Sequence, residues 1–246
     1  MRYLIGFLRY LSCEWIVKPN MNCLLFLIYA LLILETVESK LLFGFKAQSN
    51  VFLSSSSKLS PHGFNIVDSY EWIRPIGNNA VAGLLGDSSD CEVVFSSLKS
   101  FDQDYRLKSN SDKSMAIEDM ANVCRSIIAN GLNKGEHFNV NGLIAGWSDR
   151  RQVPVLYWLD SIGSLKEVMY AAHGNEFPLV LSLFDDRYNQ KLKLPDQQSE
   201  DKHDDNGIEI AKMTWDVVKR RKVESVGACR LVSVGKSGFA DHGLLR

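Results

Sequence analysis

Paired cysteine motifs are missing from this chain of 246 residues. Its five cysteines, Cys13, Cys23, Cys91, Cys124 and Cys229, are scattered and odd in number, and none stands in a Cys-x-x-Cys pair. That excludes a disulfide framework and a thiolate zinc site, and it fits a reducing compartment. Excess charge of one sign is missing as well, the formal net charge being -1. With no dominant positive field, neither nucleic acid nor an anionic membrane is an expected partner; protein is. The apolar run at residues 23–34 (CLLFLIYALLIL) has twelve residues, whereas a spanning helix needs about 20. A secretory signal does not fit either, because 22 residues precede that run and Thr36-Val37-Glu38-Ser39 follows it. Two further absences bear on chemistry. No lysine occurs between Lys58 and Lys99, and Thr36 is the only threonine near the first strand candidate of the domain.

What is present is a chain with 46% hydrophobic residues, enough to bury one sizeable core. Its periodicity changes along the length. Leu41 to Lys46 and Val51 to Ser54 read as strands across a polar turn, and Phe64 to Val67, Tyr70 to Ile73 and Ala80 to Leu85 as further short strands. Pro61-His62-Gly63, Arg74-Pro75 and Gly77-Asn78-Asn79 punctuate them. Asp87 is the expected N-cap of a helix whose apolar face carries Val94, Leu98, Phe101 and Tyr105. A second helix over 115–130 places Ile117, Met120, Ala121, Cys124, Ile127 and Ile128 on one stripe and ends at Gly131. Phe177, Val180, Leu181, Phe184 and Tyr188 form a third stripe; Ile208, Ala211, Trp215 and Val218 form a fourth, before a closing strand at Val226 to Val234. Between the helix pairs, the runs Val140 to Trp147, Val153 to Leu159 and Glu167 to Ala172 read as an antiparallel meander. Amphipathic helices must cover an apolar face, so an α+β fold with helix pairs flanking two packed sheets is consistent; composition alone does not select it.

The words in that meander are specific. Leu143-Ile144-Ala145-Gly146-Trp147, then Pro154-Val155-Leu156-Tyr157, then Tyr170-Ala171-Ala172-His173-Gly174, resemble the proteasome beta-subunit family. Gly83-Leu84-Leu85-Gly86-Asp87 supports the same likeness. The His-Gly word with the later Asp186-Arg187-Tyr188 resembles the type-2 subunit most. The likeness covers about 41–235. It implies a four-layer α-β-β-α sandwich of the N-terminal nucleophile hydrolase type. It also implies a place in a seven-membered beta ring of the 20S core particle, against two beta neighbours, the alpha ring and the opposite beta ring, in the cytoplasm and nucleus, with no membrane and no nucleic acid involved.

Active members of that family use an N-terminal threonine whose own amine is the base. Counting back four residues from the first strand's Gly44 reaches Lys40; in a spliced reading, counting from Gly6 reaches Arg2. Neither side chain offers a hydroxyl, and Thr36 is out of register. The family's aspartate at the end of the second strand falls within 54–57, at Ser56, and its lysine near Ser69 or Tyr70. Arg74 lies too far along to replace it. The serine before the third helix matches His173, and the Arg-Asp-x-x-Ser-Gly word is replaced by Arg221-Lys222-Val223-Glu224-Ser225-Val226-Gly227. The expectation is a non-catalytic subunit that supports assembly and ubiquitin-dependent protein degradation, with no catalytic residue, cofactor or metal. The competing reading is an active threonine-type endopeptidase of the same complex.

The remaining motifs have plain readings. His173 is a structural histidine at a strand-to-helix turn. Asp185 and Asp186 beside Arg187 read as a surface or interface ion pair, and Lys219 to Lys222 complement a helix C-terminus. His203-Asp204-Asp205 lacks a second histidine at helical spacing, so no metal is expected. Residues 191–206 read as a solvated acidic loop insertion and 236–246 as a tail. Tyr3-Leu4-Ile5-Gly6-Phe7 nearly repeats Leu41-Leu42-Phe43-Gly44-Phe45, and joining Phe7 to Lys46 yields a type-2-like start. Residues 1–40 therefore read as an extension: a translated intron, a propeptide or an anchor.

Overall fold

A computed structural model describes residues 40–57, 70–187, 200–221 and 228–245, the side chains of 187, 200–205 and 245 excepted. The chain divides into two compact units. All described residues belong to the larger, Ser39–Leu59 with Asn65–Arg246; the smaller, Met1–Glu38 with Ser60–Phe64, lies outside them. The strand expected at Phe64 to Val67, Ser69, Arg2, Tyr188 and residues 1–39 are outside them too.

The described elements run in chain order as β1 (Leu41–Lys46), β2 (Asn50–Ser56), β3 (Ile73–Pro75), β4 (Ala80–Gly86), α1 (Ser88–Ser109), α2 (Ile117–Asn133), β5 (Val140–Ser148), β6 (Val153–Leu159), β7 (Leu165–Glu167), β8 (Tyr170–Gly174), α3 (Phe177–Arg187), α4 (Glu200–Arg221), β9 (Cys229–Gly235) and β10 (Gly238–Leu245). They build two antiparallel sheets, ordered β10-β9-β2-β1-β8 and β3-β4-β5-β6-β7. Successive residues of a strand face opposite sides, and β1 is apolar on both. Leu41, Phe43 and Phe45 join Phe52, Leu231, Val180, Phe184, Ala211 and Trp215 in one core against α3 and α4. Leu42 points the other way, into a second core with Val51, Leu53, Val81, Leu84 and Leu143 that continues to α1 and α2 through Val94, Leu98, Met120 and Cys124. The result is the expected α-β-β-α sandwich, with β1 packed on both faces.

Several elements differ from the sequence expectation, each for a local reason. The meander is split: β5, β6 and β7 stay in one sheet, whereas β8 pairs with β1 in the other. The switch is one step wide, since the Val168 amide donates to the Leu156 carbonyl at 2.9 Å while the Met169 carbonyl accepts from the Lys46 amide at 2.8 Å. Arg74-Pro75 does not break structure but forms most of β3, an edge position that tolerates proline's missing N–H. On α1, Phe101 and Tyr105 are 48% and 42% exposed, and the inward stripe is Cys91, Val94, Phe95, Leu98 and Asp102. Both stripes have helical spacing; Asp102 is drawn in because it accepts from the Met115 amide at 2.9 Å and from Arg106 at 2.8 Å. Gly131 lies inside the last turn of α2, where a Cβ would strike the Phe138 ring, rather than ending the helix. Residues 200–206, expected in a loop, are the start of α4. Residues 238–245 are no tail: they pair with β9 as an edge strand, bulged between Asp241 and Leu244.

Candidate functional site

Five chain ends meet beside the start of β1. Lys40 precedes Leu41, Ser56 ends β2, Trp72 enters β3, Gly86 ends β4 and Gly174 ends β8. The β1–β2 register sets Leu42 against Ser55, so the Leu41 amide reaches the Ser56 hydroxyl oxygen, donating to it at 3.2 Å. On the other side Leu41 pairs with Gly174. That glycine has φ of 109°, and a Cβ there would collide with the Lys40 carbonyl, so a side chain is excluded by both conformation and space. The Lys40 carbonyl accepts from the Asn175 amide at 3.2 Å. The backbone of Lys40 is therefore fixed from two sides.

Its side chain is equally committed. Lys40 Nζ donates to the Gly86 carbonyl at 3.0 Å and stands 4.9 Å from the centre of the Trp72 ring. Trp72 is fully buried, and an ammonium over an indole face is held by the ring quadrupole. Ser54, Ser55, Ser56 and Ser57 are all buried, and their roles are structural where bonds are made. Ser54 Oγ accepts from Trp215 Nε1 at 2.7 Å and donates to the Arg230 carbonyl at 2.8 Å. The structure thus brings Lys40 and Ser56 together, leaves Ser69 and Arg2 undescribed, and adds Trp72 and Gly86, which sequence counting did not find. Gly86 stood in the quoted Gly83-Leu84-Leu85-Gly86-Asp87 word. Nothing in the spacing marked Trp72.

Arg74 takes no part here: it lies over Phe95 at 4.7 Å and pairs with Glu92. Cys91 is a thiol influenced by the Lys40 charge, but burial outweighs that influence and pushes its pKa up to about 12. Cys124 and Cys229 are pushed up to about 12 by burial in the same way. These thiols stay protonated at neutral pH and do not supply thiolate nucleophiles. His173 lies within the sandwich, stacked on Trp158 at 5.5 Å, with Nε2–H donating to the Gly142 carbonyl at 3.2 Å. Burial lowers its pKa below the ordinary value. Asp185 accepts from the Tyr170 hydroxyl across the α3–β8 contact, while the Arg187 side chain of the expected ion pair lies outside the described residues. Among the described residues no cluster of three His, Cys, Asp or Glu side chains is placed to hold a metal, and no helix is long and apolar enough to cross a membrane.

Two antiparallel sheets between helix layers, with the start of β1 at the convergence of the strand ends, define an α+β sandwich of the N-terminal nucleophile hydrolase type. The family described as "Proteasome subunit" matches residues 39–213. The chain belongs to the proteasome subunit family. It is similar to a probable proteasome subunit beta type-4 of Neurospora crassa, 27% identical over 188 residues, which is 76% of this chain and 87% of that protein. It is also similar to proteasome subunit beta type-4 of Saccharomyces cerevisiae, 23% identical over 74% of this chain and 85% of that protein. An archaeal likeness, proteasome subunit beta 2 of Pyrococcus furiosus, is 23% identical over 81% of this chain and 88% of that protein. These similarities place the chain on the beta side of the family.

Proposed function

We propose that this chain is a non-catalytic beta subunit of the 20S core particle, a wall of the degradation chamber that hydrolyses nothing itself. The observation that carries the reading is Lys40. Where the family likeness puts the threonine hydroxyl, this chain has an ammonium bonded to the Gly86 carbonyl and laid over Trp72. A hydroxyl nucleophile needs a base and a positive group beside it; here Ser56 brings no carboxylate and Trp72 no charge. In the ring the subunit contacts two beta neighbours, the alpha ring and the opposite beta ring, in the cytoplasm and nucleus, and supports ubiquitin-dependent protein degradation through assembly.

Its numbered position is part of the proposal. The Tyr170-Ala171-Ala172-His173-Gly174 word supports type-2, whereas the similar fungal proteins carry the name beta type-4, which supports the beta ring without supporting that number. The test is a Lys40→Ala substitution in the full chain, followed by purification of particles. The chain should co-sediment with them and every peptidase activity should be unchanged. Loss of one activity on substitution would return the chain to the active threonine peptidases, and failure to co-sediment would remove it from the particle.

A further inference from the structure

We draw no further inference here: the strongest candidate, the exposed apolar patch along α1 formed by Val93, Phe101 and Tyr105, carries nothing, because nothing in the structure shows what covers it.

Discussion

The Lys40 side chain is committed to holding strands together. Its ammonium joins β1 to the end of β4 through the Gly86 carbonyl and to β3 through Trp72. On the proposed non-catalytic reading, a Lys40→Thr variant introduces a hydroxyl but neither a carboxylate nor a cation around it, so the peptidase rates of purified particles should not rise. His173 makes a prediction about pH. Burial depresses its folded pKa below the ordinary 6.5. The folded chain therefore keeps this ring neutral while the unfolded chain takes up a proton, and stability should fall as pH drops below about 6.5. Urea unfolding midpoints measured across that range should show a weaker pH dependence for His173→Phe than for the unsubstituted chain. At this scale the nearness of Lys40 and Ser56 follows from strand register, which can be counted over a short turn. Trp72 was not legible in that way: counting across a connection of uncertain length pointed to Ser69 or Tyr70, and only the folded chain sets the indole under the ammonium.

Among the elements, β1 and α4 carry the clearest dependence on packing. Trp215 of α4 is 1% exposed, lies 5.4 Å from the Phe43 ring and donates to Ser54 at 2.7 Å. Trp215→Ala should lower unfolding stability by about 3–5 kcal/mol, read from urea denaturation, because it opens a cavity and strands a buried hydroxyl. A second device ties the two sheets at the far end of β1. Glu167 of β7 accepts from Lys46 at 2.9 Å and from Arg151 at 2.9 Å. Burial would raise the Glu167 carboxyl, yet these two bonds outweigh it and hold it below its ordinary value. A Lys46→Met and Glu167→Gln double-mutant cycle should give a coupling of about 0.2–1 kcal/mol, as befits a pair that is partly open to water. Element type was readable from periodicity in β1, β2, β4, α2 and β6. The two stripes competing on α1 were not separable, because a helix face is chosen by what it packs on, and the passage of β8 into the other sheet depends on hydrogen bonds at Val168 and Met169 that no local pattern announces.

For the whole molecule, the sandwich is that of the family, and the proposal is that it carries no reaction centre. The layers, both cores and the family match over 39–213 define a proteasome subunit, and beside β1 the Lys40 ammonium is bonded to the Gly86 carbonyl and lies over Trp72. The most direct measurement is to treat purified particles with a peptide vinyl sulfone, an electrophile that captures a nucleophile at the N-terminus of an active subunit, and to read each subunit by intact mass. The account predicts that this chain is present in the particle and unmodified while other beta subunits carry the label. A labelled form of this chain would contradict it.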